Sequence, residues 1–291
     1  MKQYLIDFFR AQQYALADAD YFLAAYDKIQ ENQPARDLWA EALALYDADL
    51  NCNYGDIIGK ADRVAHLIGV HEYTTDLLVF ACLSKRLRER YAERGIDEAI
   101  FWKSMEDLRY KVEECKLVYG IIGSFVAEWF AGFFNLTRFG LGRLQFEVIP
   151  FNATYEKNGH RLTPESKVVN IHIPRSGEPL TEEACRDAYR RAKAMFGAEV
   201  GDPCPLVCSS WLLYPEHENF LPKHSNTYRF FKSFDIFEQG TDKNRANLWR
   251  LFDTMEKDPD KLPADTSMRR AYVERLKAGG QMGRGRGVMF V

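Results

Sequence analysis

Between positions 101 and 119 the apolar residues Phe101, Met105, Leu108, Val112, Cys115 and Tyr119 recur at alternating steps of four and three. Glu106, Asp107, Lys111 and Glu113 fall off that stripe, so the segment has the period of an amphipathic helix. Similar spacing over 5–26, 37–49, 56–70 and 74–94, interrupted by polar or Gly- and Pro-containing breaks such as Gln33-Pro34 and 51–55, predicts a helical N-terminal domain over residues 1–135. Near Asn135 the period changes. Segment 141–149 alternates, with Arg143, Gln145 and Glu147 on one side and Leu144, Phe146 and Val148 on the other, and predicts a strand with one polar face. Segment 167–173 predicts a second strand, closed by Pro174, with Val169, Ile171 and Ile173 opposed to Asn170 and His172. Thr181 is placed to cap a helix through Phe196 whose first turn carries Glu182 and Glu183, the charge that suits a helix start. Segment 206–214 predicts a third strand before Pro215, and further helix is expected at 226–234, 245–253 and 267–278. The reading is an α+β chain, its second domain at 136–291 running strand, strand, helix, strand and then further helix.

Segment 117–136 needs separate treatment, because it is nearly continuous in apolar residues and about as long as a bilayer span. Glu128 lies inside it, and a central carboxylate costs roughly 2.5–3.5 kcal/mol on insertion. Gly120, Gly123 and Gly132 suit close helix packing, so the expectation is a buried helix of a soluble fold and no membrane partner. Across 291 residues, 39 basic and 42 acidic side chains leave a net charge of -3, so no overall field draws nucleic acid to the surface. Hydrophobic residues make up 46%, enough to fill the cores of two modest domains. The six cysteines are scattered and no export signal opens the chain, which points to a reducing, cytoplasmic setting.

The polar faces of the first two strands hold the candidate chemistry. If the strands pair with those faces aligned, Arg143, Gln145, Glu147, Asn170 and His172 line one surface, and a carboxylate and an imidazole stand there as possible base or acid. Covalent catalysis through Cys208, Ser209 or Ser210 would need a base and an orienting group that nothing local supplies. Cys204 and Cys208, with His217 and His224 beyond, lack the usual zinc spacing, and no metal is expected. The aromatics Tyr228, Phe230, Phe231 and Phe234 form either core or the roof of a pocket. Segment 279–287, rich in glycine and carrying Arg284 and Arg286, could wrap a phosphate, with a flexible tail or a turn into a last strand as the plainer alternative.

Segments 141–147, 169–174 with Leu180-Thr181, 208–215, Ser225-Asn226 with Phe230, and Leu262-Pro263 with Thr266 resemble, in order and spacing, bacterial acyltransferase-domain proteins. Those proteins join a helical N-acyltransferase-type N-terminal domain to a GNAT-like C-terminal domain. The resemblance implies a GNAT-like mixed sheet flanked by helices, a splayed strand pair that admits the pantetheine arm of acyl-CoA, the co-substrate, and transfer of its acyl group to a small-molecule amine or a peptide. It implies Glu147 or His172 as base, Tyr214 as the acid for the leaving thiolate, and Arg143, Gln145 and Asn170 as substrate contacts. Ile173 would offer its amide to the thioester carbonyl, and Arg175, Ser176, Gly177 and Thr181 would face the CoA pyrophosphate. Stretch 174–181, Pro-Arg-Ser-Gly-Glu-Pro-Leu-Thr, departs from the glycine-rich GNAT loop, Glu178 having the wrong charge for a phosphate site. The competing reading is a non-catalytic GNAT-like protein that holds an anionic ligand or a protein partner on the Arg143 face.

Overall fold

The computed structural model describes residues 1–291 and divides into two units, Met1–Gly140 and Leu141–Val291. The first unit is helical: α1 (Lys2–Ala11), α2 (Leu16–Glu31), α3 (Gln33–Ala48), α4 (Tyr54–Ile68), α5 (Glu72–Glu93), α6 (Glu98–Tyr119) and the single turn α7 (Ala131–Phe134). Side chains start these helices where the sequence offers a cap. Asn32 accepts from the Ala35 amide at 3.1 Å, and Asp97 accepts from Ala99 at 2.8 Å. Gly69 and Gly120, both left-handed, end α4 and α6. Helix α5 is the centre of the unit, because every residue from Leu77 to Ser84 is buried. Around it Phe80 packs edge-on to Phe130 and Phe134, and the Tyr46 hydroxyl donates to the Phe134 carbonyl at 2.9 Å.

Two expectations fail here. The helix read over 5–26 is two helices, broken at Gln13, whose φ of 56° no α-helix accommodates. The continuous buried helix over 117–136 does not form either. Gly120 stops α6, and at Gly123 the backbone passes so close to Tyr73 that an added Cβ would stand 2.2 Å from its carbonyl oxygen. Only a 3-10 turn at Ala127–Phe130 and α7 remain, while Leu117 and Tyr119 lie exposed. No helix of the chain is long and apolar enough to cross a membrane.

The second unit is a mixed sheet. Its elements are β1 (Arg138–Leu141), in which the division falls, β2 (Leu144–Pro150), β3 (Tyr155–Lys157), β4 (His160–Leu162), β5 (Lys167–His172), α8 (Glu182–Val200), β6 (Pro205–Ser210), the one-turn α9 (His217–Phe220), α10 (Asn226–Lys232), β7 (Asp235–Thr241), α11 (Trp249–Phe252), α12 (Ser267–Lys277) and β8 (Gly283–Phe290). The main sheet runs β1-β2-β5-β6-β8-β7, and β3 and β4 form a separate hairpin. Strands β5 and β6 are parallel, while β2/β5, β6/β8 and β7/β8 are antiparallel. Helix α8 is capped as the sequence predicts, the Thr181 hydroxyl accepting from the Ala184 amide at 3.2 Å. Five strands lie outside the three that the sequence predicts: β1, β3, β4, β7, and the full length of β8, which the glycine-rich segment forms. The third strand is shorter than expected, since β6 ends at Ser210 and the chain turns into a 3-10 helix at Trp211–Leu213.

Candidate functional site

Strand register brings the polar faces together. Gln145 stands opposite His172 and Glu147 opposite Asn170, so the alternating side chains of β2 and β5 meet on one face. His172 Nε2 lies 2.6 Å from Glu147 Oε1, a separation that requires a proton between the two atoms. Asn170 donates from Nδ2 to the same carboxylate oxygen at 3.2 Å, and its Nδ2 lies 3.1 Å from His172 Nε2. Because Glu147 takes the Nε2 proton, the imidazole lone pair is on Nδ1 when the ring is neutral. Both side chains keep some exposure, 21% for His172 and 14% for Glu147, and Gln145 beside them is buried.

The strands part immediately beyond this group. Hydrogen-bonded pairing of β5 with β6 covers Val169–Ile171 against Leu206–Cys208, and there it ends. Strand β5 stops at His172, while β6 continues to Ser210 alongside β8. The carboxylate–imidazole pair therefore stands at the C-terminal end of β5, where its pairing with β6 stops and where open α/β sheets gather ligands.

Arg143 is not in the strand with Gln145 and Glu147. Gly142, at a φ of 66°, and Arg143 form the two-residue turn between β1 and β2, a break that simple alternation reads through. The guanidinium donates from Nε to the Glu178 carbonyl at 2.8 Å and from Nη1 to the Pro174 carbonyl at 3.1 Å. It thus shapes the loop between β5 and α8 as a clamp. Within the loop Ile173, Arg175 and Ser176 are half-buried, whereas Gly177, Glu178 and Thr181 are exposed. Arg175 meets Asp253 through both carboxylate oxygens, its Nη2 donating to Oδ2 at 2.8 Å.

Tyr214 does not join the Glu147 group. On β8, Gly283, Gly285 and Gly287 share the face that carries Cys208 and Ile171, and a Cβ at Gly283 would stand 2.3 Å from the Tyr214 ring. Asn170 and His172 project from the other face of the pleat. The Tyr214 ring thus packs on the β8 face opposite to the one that carries the imidazole.

The remaining sequence candidates have structural duties. His217 is fully buried, with Nδ1 3.1 Å from the Leu212 carbonyl and Nε2 paired to the Tyr272 hydroxyl, and burial pulls its pKa down to about 4. Burial pushes the Cys208 thiol up to about 12, which makes it a poor nucleophile. Arg286 lies over the Phe151 and Phe237 rings and pairs with Glu238, so the glycine-rich segment offers its arginines to the core edge and a carboxylate.

A mixed sheet whose central parallel strands part at a polar group, with a helix connecting the first of them to the second, is the architecture of a GNAT-like protein. Residues 138–289 match the GNAT-like C-terminal domain and residues 3–136 the N-acyltransferase N-terminal domain, and the chain belongs to this family. The fold is shared with solved acyltransferases. One, in complex with decanoyl-CoA and teicoplanin, is 22% identical with a TM-score of 0.75 over 98% of this chain and 86% of its own. Another, in complex with CoA and 10C-teicoplanin, is 22% identical with a TM-score of 0.77 over the same shares of the two chains. No curated protein sequence matches the chain.

Proposed function

We propose that this protein transfers an acyl group from acyl-CoA to an amine, with His172 as the general base and Glu147 as the carboxylate that orients it. The observation that carries the reading is the 2.6 Å Glu147–His172 contact at the point where β5 and β6 part. In the proposed reaction the amine nitrogen attacks the thioester carbonyl carbon while Nδ1 of His172 takes the amine proton, and the carboxylate of Glu147 stabilises the imidazolium. The C–S bond then breaks, and the thiolate leaves with the proton that His172 holds. Asn170 keeps the carboxylate in place, and Gln145 completes the polar wall. The pantetheine arm enters the gap between the strands, the Ile173 amide faces the thioester oxygen, and the loop shaped by Arg143 leads to the phosphates, with Ser176, Gly177 and the capped α8 start at Thr181 beside them.

Support for the donor comes from the family and from the shared fold, since the structurally similar acyltransferases hold CoA and its decanoyl ester. Teicoplanin in two of those complexes makes a peptide-like amine the first acceptor class to try. The test follows thiol release from acetyl-CoA and decanoyl-CoA across a panel of small amines and amine-bearing peptides. Glu147→Gln and His172→Asn should each lower kcat at least a hundredfold with CoA affinity within threefold of the parent. Full turnover in both variants would remove these residues from the chemistry. If no donor and acceptor pair releases thiol, the transferase reading itself fails.

A further inference from the structure

The loop after β5 carries Arg175, and a second arginine distant in sequence shares its partner. Asp253 accepts from Arg175 on both oxygens, and its Oδ2 also accepts from Nη2 of Arg269 at 2.5 Å. Arg269 is held in that orientation by donating Nε to the Leu251 carbonyl and Nη1 to Asp265, both at 2.9 Å. The result is two guanidiniums converging on one carboxylate, at a position 14% exposed.

Three features make this more than a surface ion pair. The first is geometry: two forked cations, one of them also paired with Asp265, converge on the Asp253 carboxylate, and a phosphate ester presents three oxygens and more charge to the same donors. The second is the backbone of Asp253, which ends α11 at a φ of 59°, a left-handed C-cap where glycine is the usual residue and where non-glycine residues collect at working sites. The third is the charge around the loop. Glu178, Glu182 and Glu183 are all exposed at the start of α8 and oppose a phosphate there. The arginine fork adds cationic charge to an anion site whose α8 amides are flanked by those carboxylates.

We propose that Arg175 and Arg269 together bind a phosphate group of CoA, and that Asp253 occupies this fork until CoA displaces it. The inference rests on the acyl-CoA reading above and adds a built-in competitor: the carboxylate keeps two arginines aligned in the absence of ligand and lowers the net affinity for it. The competing structural role, Asp253 as a simple prop for the loop, predicts the opposite response to its removal.

Asp253→Asn tests the two, because asparagine tolerates the left-handed conformation and keeps one carbonyl oxygen while losing the charge. Titration calorimetry on the full chain should show CoA binding at least fivefold tighter than to the parent, with a steeper loss of affinity as salt rises. Arg269→Ala should bind CoA about tenfold more weakly. With 3′-dephospho-CoA the gain from Asp253→Asn disappears if the fork holds the 3′-phosphate and persists if it holds the diphosphate. A parent that binds CoA and an Asp253→Asn variant that binds it no more tightly would overturn the displacement while leaving the acyl-CoA reading intact. If neither protein binds CoA, both inferences fall together.

Discussion

Gly285 has no room for a methyl group: an added Cβ would stand 2.0 Å from the Leu213 carbonyl oxygen. Its neighbours at 283 and 287 are also crowded, an added Cβ standing 2.3 Å from the Tyr214 ring and 2.8 Å from Phe234 Cβ. Three glycines at alternate positions of β8 therefore form a flat strip on which the 3-10 turn after β6 lies. Gly285→Ala should cost about 1–3 kcal/mol in denaturant unfolding, the scale of overpacking, whereas Arg284→Ala on the other face should stay within about 0.5 kcal/mol. Equal effects would show that the strip is not needed. In the sequence these positions read as a phosphate-wrapping segment, a flexible tail or a turn into a last strand, because the signal is a lack of side chains and its cause lies some 70 residues away in the chain. Glu147, Asn170 and His172 were easier, since alternation within each strand announces which side chains share a face. Their mutual contact was not legible, because register depends on long-range pairing. Arg143 was misplaced for a related reason: Gly142 fits a strand and a turn equally well, and only the turn uses its left-handed φ.

Among the elements, α4 and α5 hold the least comfortable polar group of the first unit. Asp76 on α5 is buried, and its Oδ1 has no hydrogen-bond partner. Burial, and then the neighbouring Asp62 and Glu72 carboxylates, push its pKa up from 3.8 to about 9. Between those two values the folded protein keeps a proton that the unfolded chain has released, so each rise in pH favours unfolding. The contribution is complete below about pH 4 and gone above about pH 9. Asp76→Asn removes the titrating group at constant volume, so its melting temperature should fall less than the parent's between pH 5 and pH 9 and should exceed the parent's at pH 8. Parallel curves would refute this. The helices of this unit were largely readable, because a 3.6-residue period is a local property. Strand β7 was not: four of its seven residues are aromatic, acidic or amide in no fixed alternation, and a bulge between Ile236 and Glu238 breaks the period that would have revealed it.

At the scale of the whole molecule, the two units differ in how far along the chain their contacts reach. The first is built from consecutive helices whose capping and turn signals lie within a few residues of each other. The second joins residues 145–150 to 167–172 and 205–210 to 285–290, pairings that must close loops of very different length. This difference explains why the helical unit was the more legible of the two. The position of β8 carries a further consequence, for the order of assembly. Because β8 is inserted between β6 and β7, the earlier strand β7 has no partner in the sheet until a segment some 40 residues later in the chain arrives. Refolding should therefore be stepwise, with amides of α3, α4 and α5 protected early in pulsed hydrogen exchange and those of β7 and β8 protected together and last. Early protection of β7 alone would contradict this. Until that closure the outer strand is an unpaired edge, and the interval before β8 docks is when a refolding chain is most exposed to pairing with a neighbour.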